Sequence, residues 1–353
     1  MDPYLMLSLA EGFDEGLVEA LLDPTLDADA ILASPPDTLP PRVRARLTSP
    51  NLAHDAKTML RRALDHGMHC LTPASPHWPV SMSLMPLRPL VLFVRGNLQA
   101  LQQVPSATFV GSRTPTPYGL HAANAFATAL AQTGIVLWSG LARGIDRIAH
   151  QAAVASRQPT VAVLAGGIDT IYPPEHTDLA REILANGGCL VGELPPGRRA
   201  RRGHFPRRNR ILAAATRVTL VIEASLASGA LHTARFAAEC GASVFALPGP
   251  WTSERSQGCH RLLQEGAGLA LDPADLLRDI GLEASHSGAV ALQLQLSGDA
   301  QAILTCLRAG PRPADLVAQQ CGLTRAAYLL ARLQLEREGL LTLLPGDLLT
   351  TSR

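Results

Sequence analysis

The sequence predicts an α/β fold: a doubly wound parallel sheet with helices on both faces, flanked by a small helical N-terminal domain and a C-terminal winged-helix domain. Three observations carry this. From Leu90 onward, short apolar runs alternate with Ala-rich stretches of helical period. The runs end in Gly or Ser and lead into helices, the way parallel strands meet their crossover helices. The alternation has flanks of different character, helical before it and of helix-turn-helix type after it.

Residues 1–80 read as the first domain. Leu5, Leu7 and Leu9, then Leu17, Leu21 and Leu22, recur at helical spacings. A proline-rich break at Ser34–Pro41 and a second helical pattern, Leu52–Leu64, follow. The proline-rich stretch Pro73–Pro89 reads as a linker. Residues 85–282 read as the sheet domain. Its strands are VLFVRG, ATFVG, IVLWSG, PTVAVLAGG, CLVGE, VTLVIEA and SVFALPG. Its helices are expected at Tyr118–Thr133, Ile145–Ala155, Leu179–Ala185, Arg207–Ala215 and Ala230–Glu239. A low-pattern linker, Glu283–Ser297, leads to the third domain, residues 298–353. There DLVAQQCGLTRAAYLLARLQLEREG has the helix, glycine-bearing turn and second helix of a helix-turn-helix, and the trailing Leu/Thr strands would form a wing.

The bulk numbers bound the class. With 353 residues, 47% of them hydrophobic, the chain is long enough for two or three domains and is not of disordered composition. No run of about 18 apolar residues is present, so no membrane helix is expected. The N-terminus has no basic region ahead of its apolar residues, which speaks against a secretory signal. Six dispersed cysteines without a CxxC pair fit neither a zinc site nor a disulfide framework. The expectation is a cytoplasmic protein with reduced thiols, no metal and no cofactor.

Net charge is only +1, yet Arg198–Arg210 (RRARRGHFPRRNR) concentrates seven arginines with no acid among them. Guanidinium forks fit phosphate bidentately, and a nucleic-acid backbone is the commonest such polyanion. A solvated basic loop is the competing reading, the more so because arginine is this chain's default cation: Lys57 is its single lysine. Aromatic residues make up only 4%, which limits base stacking on exposed rings.

Five strand ends are rich in Gly, Ser and Arg: Val110–Arg113, Ser139–Asp146, Ala165–Gly167, Ser225–Gly229 and Pro248–Pro250. Ligands of open parallel sheets sit at these ends, where glycines admit an anion and helix-start N–H groups meet it. The chain has no G-x-x-x-x-G-K-[ST] and no clean G-x-G-x-x-G with a distal acid, which disfavours nucleotide hydrolysis and dinucleotide chemistry. Asp146 and His150, four apart, would suit an acid/base pair; alternatively Asp146 braces its loop and His150 packs. Glu223 before SLASG would suit a hydrolase or a structural hydrogen bond to loop N–H groups. Asp169 and Tyr172 would fix a turn or rim the pocket.

Together these segments resemble the DNA-processing protein A (Smf) family of bacterial competence proteins. The matching residues are V-G-S-R at 110–113 with Tyr118-Gly119, S-G-L-A-R-G-I-D-x-x-A-H at 139–150 and G-G-I-D-x-x-Y-P-P at 166–174. F-P-R-R-N-R-I at 205–211, E-A-S-L-A-S-G-A-L-H-T-A at 223–234, F-A-L-P-G at 245–249 and S-Q-G-C-H-R-L-L-Q-E-G-A at 256–267 complete the match. The resemblance implies a Rossmann-like central domain, a sterile-alpha-motif-like N-terminal domain and a winged helix. It implies a non-catalytic homodimer that binds single-stranded DNA and loads the RecA recombinase onto strands taken up in natural transformation. Carried over, Arg113, Arg143, Arg208 and Arg210 would contact phosphates, Gly111, Ser112, Gly140, Gly144, Gly166 and Gly229 would shape the pocket, and Asn209 would orient the arginines. Ser139, Gly167, Arg207 and Ser228 complete the expected DNA-binding set. The chain departs from the family pattern at Ala227 (often lysine), His260 (usually Asn) and Ala242 (usually Arg). An alternative class is a nucleoside-monophosphate phosphoribohydrolase, whose P-G-G-x-G-T-x-x-E loop would fall at S-G-A-L-H-T-A, which lacks the glutamate.

Overall fold

The computed structural model describes residues 1–12, 19–23, 25, 27–82, 85–282, 297–307, 312–337, 340–344 and 348–351. They fall into two compact units, Met1–Glu283 and Ala284–Arg353. Leu17 and nearly all of the expected linker, residues 283–296, lie outside the described residues.

The first unit is built on nine strands: β1 (His69–Leu71), β2 (Leu92–Gly96), β3 (Ser106–Gly111), β4 (Val136–Ser139), β5 (Thr160–Leu164), β6 (Cys189–Gly192), β7 (Val218–Ile222), β8 (Ser243–Ala246) and β9 (Gly268–Leu269). Their order is β1-β2-β6-β5-β4-β3-β7-β8-β9. From β6 to β9 all neighbours are parallel, so the sheet is mostly parallel, as expected. The VLFVRG segment departs from that reading: β2 runs antiparallel to β6, and β1 antiparallel to β2. The sheet is Rossmann-like, with its strand order reversing at β3.

The helices of this unit are α1 (Pro3–Glu11), α2 (Glu19–Leu22), α3 (Ala28–Ala33), α4 (Pro41–Leu47), α5 (Leu52–Asp65), α6 (Gln99–Gln102), α7 (Pro117–Gln132), α8 (Ile145–Ala155), α9 (Thr177–Ala185), α10 (His204–Ala215), α11 (Gly229–Glu239), α12 (Glu254–Gln264) and α13 (Pro273–Ile280). Strand periodicity divides the core between the two sheet faces. In β5, Val161 and Val163 join Ile211 and Leu212 of α10, while Ala162 and Leu164 join Leu179 and Ile183 of α9. Both faces being covered explains why the strands are near-continuous apolar runs. Local chemistry sets the helix starts. Thr116 caps α7 by accepting from the Gly119 N–H, with Pro117 at the first helical position, and Ser228 caps α11 by accepting from the Ala230 N–H at 3.2 Å.

The N-terminal helices pack directly on this sheet. Leu5, Met59 and Ala63 share a core cluster with Phe93 and Leu190. Within the expected linker Pro73–Pro89, Trp78, Met82 and Met85 are buried in one cluster with Ala214 and Ala215. Burying side chains of that size stabilises by about 1.5–3 kcal/mol each, which outweighs the proline-rich local signal.

The second unit holds α14 (Gly298–Leu307), α15 (Ala314–Gln320), α16 (Arg325–Arg337) and the short antiparallel strands β10 (Arg312–Pro313), β11 (Leu341–Leu344) and β12 (Leu348–Thr351) in the order β10-β12-β11. Ile303, Leu307, Val317, Tyr328, Leu335 and Leu349 form its core. Among the described residues of both units, no helix is long and apolar enough to cross a membrane.

Candidate nucleic-acid interface

The loops after β3, β4, β5, β6 and β7 emerge at one edge of the parallel sheet, its carboxyl edge. Helix α10 starts there and carries RRNR. On a helix, residues three or four apart share a face and adjacent ones diverge, so the arginines of α10 separate. Arg207 and Arg210 turn inward and Arg208 turns to the strand ends.

The inward pair forms a closed ionic cluster. Arg207 donates from Nε to Glu193 Oε2 at 2.8 Å and from Nη2 to Glu11 Oε2 at 2.7 Å, and Arg210 Nη2 donates to Glu193 Oε1 at 2.6 Å. None of the four side chains is more than 6% exposed. Burial alone would raise the Glu193 carboxyl, but Arg210 and Arg207 outweigh it and hold it below the usual range. Two cations thus meet two anions, one of them from α1. Arg207 and Arg210 were expected to face DNA; that expectation is corrected, because their charge is spent inside the protein.

Arg208 is different. It is buried, yet makes no ion pair among the described residues. Its Nη1 donates to the Val163 carbonyl at 2.6 Å and its Nε to Asn209 Oδ1 at 3.1 Å. Burial pushes its pKa down to about 10; Asp146 opposes this and Arg113 adds to it. A cation held at such a desolvation cost is stabilised by any anion that docks beside it. Gly140 makes room: a Cβ there would lie 1.7 Å from Arg208 Nη1.

Two adjoining concavities share Arg113. One, of about 400 Å³, gathers Gly111, Ser112, Arg113, Arg208, Asn209, Ser228 and Gly229, and is also lined by Arg255 and by the carboxylates Asp146 and Glu254. The other is a narrow cleft lined by Arg113, Gly140, Arg143, Gly166, Tyr172 and Phe205. Arg113 stacks over the Phe205 ring at 5.0 Å, and Phe205 meets Tyr172 edge to face with centroids 6.1 Å apart. Arg143 is exposed and pairs with Glu175 at 2.5 Å. An exposed pair contributes about 0–1 kcal/mol, so a phosphate competes for this arginine readily.

The other expected residues support the loops from behind. Ser139 is buried and donates to the Phe109 carbonyl at 2.7 Å. Gly144 has φ 76° and its Cβ would lie 2.2 Å from the Ser112 carbonyl, so only glycine suits the turn. The Gly167 N–H donates to the Arg198 carbonyl at 2.7 Å and pins the arginine-rich loop. Ser139, Gly144 and Gly167 line neither concavity. Of the residues weighed for catalysis, Asp146 accepts from the N–H groups of Gly140 and Ala142 at 3.1 and 3.3 Å, and Glu223 accepts from the N–H and hydroxyl of Thr116. His150 is buried with Nδ1 2.9 Å from Thr160 Oγ1, and burial pushes its pKa down to about 3. Each braces a loop or packs. Sequence reasoning missed Arg255 and Phe205 as site residues, whereas Tyr172, expected to fix a turn or rim the pocket, lines the narrow cleft. The signals were a charge in the first turn after FALPG and an aromatic inside the basic run.

Residues 69–281 match the family model described as DNA recombination-mediator protein A. The chain is 37% identical over 291 residues to Protein Smf of Escherichia coli, covering 80% of this chain and 78% of that one. Its fold is similar to the X-ray structure of DNA processing protein A from Streptococcus pneumoniae, with TM-score 0.66 and 30% identity over 79% of this chain and 98% of that one. It is also similar to DNA processing protein A from Helicobacter pylori, with TM-score 0.54 and 27% identity over 60% of this chain and 96% of that one; that structure describes a single-stranded DNA binding mode.

Proposed function

The chain belongs to the DNA recombination-mediator protein A family, and on that premise we propose that it binds single-stranded DNA at the carboxyl edge of the sheet and loads RecA onto the strand during natural transformation. It acts in the cytoplasm as a homodimer and without catalysis. Residues 1–80 serve as a sterile-alpha-motif-like domain, 85–282 as the DNA-binding domain and 298–353 as a winged helix.

The observation that carries the reading is Arg208: a buried guanidinium without an ion pair among the described residues, open to a pocket shared with Arg113 and adjoining two aromatic rings. A strand laid there would set phosphates on Arg208, Arg113 and Arg143 while a base meets Phe205 or Tyr172. Phosphate binding dominates such affinity and makes it salt-dependent, and stacking contributes about 1–3 kcal/mol per base irrespective of sequence. The non-catalytic reading is supported by the structural engagement of Asp146, His150 and Glu223.

The test is fluorescence anisotropy of labelled single-stranded and duplex oligonucleotides over a salt series, comparing wild type with Arg208→Gln and Arg143→Ala. Single-strand preference is expected, with the log–log salt slope falling by about 0.7 for each phosphate that a variant no longer neutralises. Wild-type affinity and slope in Arg208→Gln refute the assignment. Release of free base from a nucleoside monophosphate, abolished by Glu223→Gln, would favour the hydrolase instead.

A further inference from the structure

Of the five glycine-rich strand ends, Pro248–Pro250 alone lines neither concavity. It follows β8, which runs parallel to β7, so it leaves the sheet at the same carboxyl edge. It leads directly into Trp251, which is 84% exposed, whereas the other two tryptophans, Trp78 and Trp138, are 4% and 1% exposed. Single exposed apolar side chains are common on protein surfaces. Two features set this one apart: how its backbone is held and what lies beside it.

The backbone leading to the indole is anchored at three successive residues. Tyr118 donates from its hydroxyl to the Pro248 carbonyl at 2.7 Å, His260 donates from Nε2 to the Gly249 carbonyl at 3.0 Å, and the Ser253 N–H donates to the Pro250 carbonyl at 3.0 Å. The rings of Pro248 and Pro250 fix their φ angles. Gly249 approaches α12 so closely that a Cβ there would lie 2.4 Å from Ser256 Oγ. A ring held out in water on so constrained a loop meets a partner at little ordering cost. The partner is indicated four residues further on. Arg255, in the first turn of α12, lines the 400 Å³ concavity together with Arg113 and Arg208, and Glu254 shares that wall. Four residues of chain span at most about 14 Å, so the indole stands within that reach of the phosphate pocket's wall.

We infer that Trp251 is a base-stacking residue for the single strand, receiving a base on the α12 side of the pocket while Arg255 takes a phosphate. The inference rests on the pocket reading above, since it lengthens the path of the same strand. It gives the concavity of Arg208 the aromatic surface that Phe205 and Tyr172 give the narrow cleft. Every base has a π face, so the contact tolerates any sequence.

The experiment uses the full chain as wild type, Trp251→Ala, Trp251→Phe, Arg255→Gln and Arg208→Gln. A labelled oligothymidylate of about twenty nucleotides is titrated by anisotropy over a salt series, an unlabelled one by intrinsic tryptophan fluorescence, and the mass in solution is followed by light scattering. Because Trp78 and Trp138 are buried, quenching on binding reports Trp251. Expected is quenching in wild type that Trp251→Ala loses, with affinity lower by about 5- to 150-fold in that variant at an unchanged salt slope. Trp251→Phe retains part of the affinity, and Arg255→Gln lowers the slope by about 0.7. Trp251→Ala equal to wild type in affinity, beside a weakened Arg208→Gln, overturns the stacking role alone. An affinity loss in Trp251→Ala that comes with a smaller mass in solution also overturns it, since the indole then serves a contact between copies. Wild-type binding by Arg208→Gln overturns the pocket reading and this inference with it.

Discussion

Replacing Gly140 by alanine moves Arg208 without removing its charge, and so separates position from electrostatics. The added Cβ would lie 1.7 Å from Arg208 Nη1, 2.3 Å from Cζ and 2.4 Å from Nη2, where ordinary van der Waals approach begins at 3.4 Å. The guanidinium must therefore retreat by about 1.7 Å, the difference between 3.4 and 1.7. That motion breaks its 2.6 Å bond to the Val163 carbonyl, a charged hydrogen bond worth about 1.5–3 kcal/mol. Arg208 is buried except where it borders the pocket, so the retreat carries the guanidinium toward that pocket and away from Val163. Urea unfolding of Gly140→Ala is expected to show a loss in that range, and anisotropy a single-strand salt slope lower by about 0.7. Gly229→Ala is the control: this glycine borders the same pocket, but its added Cβ meets nothing within 4 Å. It should leave both readouts unchanged. Wild-type stability and slope in Gly140→Ala would refute the placement of Arg208.

Two further predictions concern stability. Glu193→Ala removes the carboxylate shared by Arg207 and Arg210, leaving Arg207 with Glu11 alone and Arg210 without its ion pair, for an expected loss of about 3–5 kcal/mol in urea unfolding; a loss below about 1 kcal/mol would mean that the cluster is solvated. His150 stays neutral in the fold, with its pKa depressed from 6.5 to about 3. The unfolded chain therefore takes up a proton first as pH falls, and the stability it contributes is complete above pH 6.5 and drains toward pH 3 at up to about 1.4 kcal/mol per unit. His150→Leu should flatten unfolding free energy between these limits relative to wild type, and an unchanged acid limb would contradict the buried neutral imidazole.

Read along the chain, the repetition of apolar strand, glycine-rich end and helix already specifies the mostly parallel sheet and its glycine-rich carboxyl edge. That pattern is legible because strand burial, glycine turns and helix caps are local properties, written within a few residues of one another. At that edge Gly111 ends β3, Ser112, Arg113 and Arg143 lie on the following loops, and Arg208 and Asn209 stand on α10. The sequence misassigned β2 to the parallel set, since strand direction depends on which neighbour a segment meets, and it misread Pro73–Pro89 as a linker although Trp78, Met82 and Met85 within it are buried. Above all, packing across the core selects which arginine of the RRNR run borders the pocket. Adjacent residues on α10 point apart, and the acids that neutralise Arg207 come from Glu193 and from Glu11, the latter 196 positions away in the chain. Charge along a sequence adds up locally, whereas pairing across a core depends on which helices pack, and that is why Arg208 keeps a charge to offer while its neighbour Arg207 does not.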